Sequence, residues 1–119
     1  MEKKEIAKLV FEAMNKRDLS LIENHLSDNV NFDFPGVERI SGKRKVLVFM
    51  KMLLRKYSEL QFAVNDAFRE ENKVCLVWTN IGQLTNGNLY NNSGVTVFNF
   101  EAEKIIFLSD YFKDTSFVE

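Results

Sequence analysis

Four long strand-like runs in succession make up the second half of this chain, and they limit its fold more than any other feature. Leu60 to Phe68 alternates apolar and polar residues, which is the two-residue period of a strand. Glu70-Glu71-Asn72-Lys73 is a turn, and Val74 to Leu84 follows. Thr85-Asn86-Gly87-Asn88 is a hairpin signal, because Asn-Gly accepts the positive φ of a tight turn. Leu89 to Phe100 comes next, and Glu101-Ala102-Glu103-Lys104 turns into Ile105 to Phe112. Strands joined this tightly form an antiparallel meander.

The first half reads as three helices and a short strand. Ile6, Leu9, Val10, Ala13 and Met14 recur at the spacing of a one-sided helix, which Asn15-Lys16-Arg17-Asp18 closes. Ser20 and Glu23 have capping-box spacing. They predict a short second helix with Leu21, Ile22 and Leu26, ending near Ser27-Asp28-Asn29. Val30, Phe32 and Phe34 alternate with Asn31 and Asp33 as a strand, stopped by Pro35-Gly36. A third helix is predicted from about Lys43 to Tyr57. Its apolar stripe includes Val46, Leu47, Phe49, Met50, Met52, Leu53 and Leu54, too wide for one packing surface. Its edge is expected to face a pocket or a partner.

Helices first and strands after specify an α+β fold, with the helices covering one face of a curved sheet. The other face is apolar as well. On the last two strands Val95, Val97, Ile105 and Phe107 are expected to oppose Phe98, Phe100, Ile106 and Leu108. A one-sided antiparallel sheet normally shows water a polar face, and no helix remains to cover this one. A homodimer packed sheet to sheet is the simplest expectation.

Composition bounds the rest. A chain of 119 residues is expected to form one domain, residues 1–119, with a real core. Eleven Phe against one Trp and three Tyr point to a large apolar interior, since Phe has no polar handle. The net charge of −1, from 16 basic and 17 acidic residues, leaves no electrostatic footprint for nucleic acid or an anionic membrane. No run approaches the roughly 20 apolar residues of a membrane span. A single cysteine, Cys75, rules out an internal disulfide and a thiolate zinc site within one chain. It sits in a buried-looking strand and reads as a small core hydrophobe. The chain is expected to be cytoplasmic. Neither metal-ligand spacing nor a phosphate-binding glycine loop is present, so no metal and no cofactor are expected.

Asp110 is the residue that points to chemistry. It lies in Ile105-Ile106-Phe107-Leu108-Ser109-Asp110-Tyr111-Phe112, on the face expected to hold Ile106, Leu108 and Phe112. A carboxylate on an apolar face needs a partner, water or a raised pKa. Two readings follow: a general acid or base in a cavity, or an anion tied to neighbouring donors.

Several segments resemble the ketosteroid-isomerase-like superfamily, also called nuclear transport factor 2-like. Glu12-Ala13-Met14-Asn15-Lys16-Arg17-Asp18-Leu19 is similar to its first-helix ending. Leu26-Ser27-Asp28-Asn29-Val30-Asn31-Phe32, with Pro35-Gly36 and Gly42 after it, is similar too. Val97-Phe98-Asn99-Phe100, Lys104-Ile105-Ile106 and Asp110-Tyr111-Phe112-Lys113-Asp114 resemble the SnoaL-like branch, which includes polyketide cyclases and is related to limonene-epoxide hydrolases. The resemblance covers nearly the whole chain. It implies a cone-shaped, curved, mixed sheet wrapped by three N-terminal helices, a deep apolar pocket and a dimer.

Catalytic positions carry over poorly. The isomerase's general base corresponds to Phe34, its buried acid to Thr96 and its helix tyrosine to a place near Val10. The hydrolase's arginine and first aspartate fall near Trp78 and Asn80. Only Asp110 matches, in the place of an acid/base aspartate of SnoaL-like cyclases.

The expected function is binding of a small apolar molecule, with Asp110 as acid or base if the molecule is turned over by an isomerase, cyclase or hydrolase reaction. The alternative is a non-catalytic ligand-binding or protein-interaction domain. Met14, Phe32, Phe34, Phe49, Leu53, Phe62, Trp78, Phe98 and Phe112 are the expected apolar contacts, with a filled core as the competing reading. Asn80 and Thr96 either orient a substrate oxygen or satisfy Asp110. His25, the single histidine, reads as a surface or capping residue. The pocket is expected to fall in the range of roughly 300–1,000 Å³ usual for ligand sites.

Overall fold

A computed structural model describes residues 1–116. Helix α1 spans Lys3–Lys16, strand β1 Leu26–Asp33, the short β2 Ile40–Ser41 and helix α2 Lys43–Leu54. The meander follows as β3 (Tyr57–Glu70), β4 (Lys73–Leu84), β5 (Leu89–Glu101) and β6 (Lys104–Phe112). These strands form one mixed sheet in the order β2-β1-β6-β5-β4-β3. All neighbours are antiparallel except β1 and β6, which run parallel. The α+β architecture and the mixed, curved sheet agree with the expectation.

The predicted second helix is absent as such. The chain makes two 3₁₀ turns, Leu19–Leu21 and Glu23–His25, and Leu26 already belongs to β1. Asp18, not Ser20, supplies the cap, accepting from the Ser20 amide at 3.2 Å. Three-residue turns bury Leu19 and Ile22 without the length that a cooperative helix needs. The third helix is also shorter than predicted: it stops at Leu54, and Tyr57 opens β3.

Polar side chains fix the helices to the sheet. Arg17 ends α1 in the left-handed region (φ 54°) and donates to the carbonyls of Leu54 and Tyr57 at 3.0 and 2.8 Å. Asn15 accepts from the Phe62 amide at 2.7 Å and donates to the Phe62 carbonyl at 3.0 Å. Its side chain thereby acts as one more rung on β3.

Sheet curvature has local causes. Register shifts interrupt β3 between Val64 and Asp66, and the β5–β6 pairing between Asn99 and Phe100. Such bulges bend a strand and increase its twist. Gly82 and Gly94 sit where strands approach closely. An added Cβ would lie 2.1 Å from the Glu59 carbonyl oxygen or 2.4 Å from that of Tyr111.

The bulge beside Phe100 also corrects the expected facing of β6. Phe100 pairs with Ile105, and Asn99 with Phe107. Ile105 is fully buried and Ile106 only half-buried, the reverse of uninterrupted alternation. Inward-facing Val74, Leu76, Phe98, Phe100, Ile105 and Leu108 pack under Ile6, Ala7, Val10 and Ala13 of α1 and Val46, Met50 and Leu54 of α2.

Candidate functional site

A cavity of about 70 Å³ lies between the helices and the inner face of the sheet. It is smaller than the range expected for a ligand site. Aromatic packing is the reason. Phe32 and Phe34 meet at 6.0 Å between ring centroids, Phe34 and Phe112 at 5.3 Å, and Phe62 and Trp78 at 5.3 Å.

Most of the predicted site residues converge here. Met14, Phe32, Phe34, Leu53, Phe62, Trp78, Asn80, Thr96, Asp110 and Phe112 all line the cavity. Two predicted contacts do not. Phe98 is fully buried in the core, edge-on to Phe11 with centroids 6.5 Å apart. Phe49 meets Phe32 and Phe34 edge to face, at 5.7 and 5.2 Å between centroids, and lines an outer groove with Val48 and Met52. The wide stripe of α2 is thus divided. Val46, Met50 and Leu54 enter the core, Leu53 reaches the cavity, and Val48 and Met52 are exposed.

Asp110 ends a directed chain of hydrogen bonds. The Trp78 indole N–H donates to Thr96 Oγ1 at 3.0 Å, and the Thr96 hydroxyl donates to Asp110 Oδ1 at 2.6 Å. Indole is a donor only, so Thr96 accepts from Trp78, and it gives its own hydrogen to the ionised Asp110 carboxylate, which can only accept. Strand register builds this arrangement. Thr96 stands opposite Asp110 on one side and Leu76 on the other, with Trp78 two residues further along β4.

Burial pushes the Asp110 carboxyl up to about 7, and the Thr96 hydrogen bond opposes it without cancelling it. The residue keeps some accessible surface, but it is a cavity wall. Protein packed around it excludes the bulk solvent that would stabilise the anion. Oδ2 makes no hydrogen bond to a described residue and is not sealed from the cavity.

A second polar group was missed in the sequence. Tyr57, Tyr90 and Asn92 also line the cavity. The tyrosine rings lie 5.0 Å apart, and burial, followed by Tyr90, raises the Tyr57 phenol. Asn92 Nδ2 donates to the Tyr90 hydroxyl at 3.0 Å and to the Asp114 carbonyl at 2.9 Å. Its Oδ1 accepts from the Ser93 and Asp114 amides. A signal was available: Tyr90, Asn92, Gly94, Thr96, Phe98 and Phe100 share one face of β5 by simple alternation.

No cluster of three or more His, Cys, Asp or Glu that could hold a metal ion exists among the described residues. Nor is any described helix long and apolar enough to cross a membrane.

Comparison with known proteins gives the wider setting. No curated protein matches the sequence. An NTF2-like protein of unknown function from Burkholderia pseudomallei K96243 superposes with TM-score 0.85 at 20% identity, over 95% of this chain and 92% of that one. A hypothetical protein with a ketosteroid isomerase-like fold from Catenulispora acidiphila, in complex with trimethylamine, gives TM-score 0.85 at 12% identity, over 97% and 90%. TerC, co-crystallised with polyporic acid, gives TM-score 0.84 at 14% identity, over 95% and 92%. At these identities the likeness is one of fold. The fold is thus that of NTF2-like and ketosteroid isomerase-like proteins, and the SnoaL-like domain matches residues 7–108, from α1 to the strand that carries Asp110, so that this chain belongs to the SnoaL-like domain family.

Proposed function

We propose that the chain binds a small apolar molecule in this cavity and uses Asp110 as an acid or base on it. The observation that carries this reading is the carboxyl of Asp110, desolvated in an apolar cavity wall and held by one donor. A group with a pKa of about 7 is populated in both protonation states near neutrality. On a ketone, the Asp110 carboxylate would take a proton from the carbon next to the carbonyl, and the C–H electron pair would move into an enolate. The same carboxylic acid would return the proton to carbon. Thr96 positions the carboxyl through Oδ1 and leaves Oδ2 for substrate; Asn80 would orient the molecule.

The cavity must widen to admit a ring. Met14 and Met50 on its walls are flexible, adaptable side chains, and Leu53 is half-exposed beside them. That TerC, of similar fold, is crystallised with polyporic acid supports an organic occupant.

The apolar outer face supports a homodimer. Phe68, Ile81 and Tyr111 are 55%, 67% and 61% exposed, and half-buried Val77, Val95, Val97 and Phe107 lie among them. The partner proposed for this face is a second copy of the chain.

Exchange of the α-protons of 2-tetralone in D2O, followed by NMR, tests the acid/base role. Faster exchange with the parent protein than with Asp110→Asn is the expected result. Binding without exchange would favour the second reading, a non-catalytic binding domain, which is favoured by Phe34 and Trp78 standing where relatives of this fold carry catalytic groups.

A further inference from the structure

Asn80 and Asn92 are directly paired across β4 and β5, are 6% and 8% exposed and line the same cavity. Their hydrogen bonding is opposite. Asn92 uses both amide atoms, in four bonds. Asn80 makes no side-chain hydrogen bond to a described residue, and its Oδ1 is buried without a partner. An orphaned buried group costs about 1–3 kcal/mol, and a domain rarely keeps one without a reason.

Its position suggests the reason. Thr96 and Asp110 form one row of the sheet, and Asn80 and Asn92 another. Four residues of β5 separate the rows, about 13 Å at roughly 3.3 Å per residue. The row between them holds Trp78, Gly94 and Phe112. Glycine adds no side chain there, and the flanking rings stand 6.4 Å apart. The cavity therefore has polar groups at two ends and apolar walls between them.

We propose that Asn80 is the specificity-determining residue of the cavity. Its carboxamide hydrogen-bonds a second polar group of the ligand, at the end away from Asp110. The ligand is then a flat apolar molecule with a hydroxyl or carbonyl oxygen at each of two opposite ends. A carboxamide serves either oxygen, donating through nitrogen or accepting through oxygen after a turn about its last torsion. This inference rests on the ligand-binding reading above and adds which molecules are chosen.

Two probe pairs, differing by one distal hydroxyl, test it at two sizes: phenol with hydroquinone, and 2-naphthol with 2,6-dihydroxynaphthalene. Dissociation constants would be measured by NMR titration against the parent protein, Asn80→Leu and Asn80→Ala. In at least one pair the diol should bind the parent about tenfold more tightly, the value of one good hydrogen bond. Both variants should erase that preference, weakening the diol by more than the mono-ol in the same pair. Asn80→Leu should also melt at a higher temperature than the parent, because it removes an unpaired buried amide. If the mono-ols and diols bind the parent equally, the ligand reading stands and the role given to Asn80 is wrong. The same holds if the variants keep the preference. If none of the four probes binds the parent, the ligand reading falls and this inference falls with it.

Discussion

The two faces of the sheet each depart from the usual pattern of an apolar inside and a polar outside. The inner face, under the helices, carries Asn80, Asn92, Thr96 and Asp110 among its apolar residues. The outer face carries Val77, Val95, Val97 and Phe107, with Phe68, Ile81 and Tyr111 well exposed. A sheet built for stability alone would bury the apolar set and expose the polar one. Under the proposed function, the polar groups inside would meet a ligand and the apolar groups outside a second copy of the chain.

The contrast breaks most visibly under truncation. Phe98→Ala removes a fully buried ring and should cost about 3–5 kcal/mol. Val95→Ala, half-buried on the outer face, should cost well under half of that in the isolated chain. Urea unfolding of both variants at a concentration that keeps the chain monomeric measures the difference. Equal losses would mean that the outer face is as much core as the inner one.

The outer face is tested next by charge. Val97→Glu places a carboxylate in the centre of the proposed interface, where burying an unpaired charge is unfavourable. Sedimentation should show a dimer for the parent at micromolar concentration, with the variant's dissociation constant raised about 100-fold or more. A parent that sediments as a monomer would end the dimer proposal. Phe107 is a less clean site, because the Arg39 guanidinium already sits 5.3 Å from its ring centroid and is itself held by Asp33 at 2.7 and 2.9 Å.

On the inner face the expected effects are smaller and more specific. Thr96→Val keeps the shape but removes the hydroxyl that links Trp78 to Asp110. Two buried polar atoms lose their partner, at a cost of about 1–3 kcal/mol. The Thr96 hydrogen bond holds the Asp110 carboxyl down against burial, so its midpoint should rise further in the variant. Carboxyl carbon shifts followed against pH report that change; a midpoint that falls would show that Thr96 does not act on Asp110.

The meander was legible because alternation and turn chemistry are local. Asn86-Gly87 marks the β4–β5 hairpin, and Gly87 takes φ 93° there. Asp110 was legible for the same reason, as a carboxylate out of place in an apolar run. What failed was non-local. The bulge that turns Ile105 inward and Ile106 outward depends on the register against β5, which one strand's own pattern does not carry. The second helix failed because a capping-box spacing competed with a chain too short to pack a helix before β1 begins at Leu26. Tyr57 follows Leu53 and Leu54 at helical spacing, so local pattern extends α2 to it, whereas pairing with β4 makes it the start of β3. The size of the cavity depends on how Phe32, Phe34 and Phe112 interlock, and composition counts rings without placing them.

The most direct test of the account is the melting temperature of Asp110→Asn relative to the parent, at pH 5 and pH 8. The folded Asp110 pKa of about 7 lies above its ordinary value of 3.8, so folding favours the protonated form. The stability of the parent from this group is therefore full below about pH 4. It falls as pH rises through the unfolded and then the folded pKa, and is lost above about pH 7. Asparagine imitates the neutral acid at every pH and still accepts from Thr96. The variant should melt at or above the parent at both pH values, with the larger advantage at pH 8. A variant that melts clearly below the parent at pH 8 would show that Asp110 is an anion held by its neighbours, and would contradict its assignment as the acid/base of a ligand cavity.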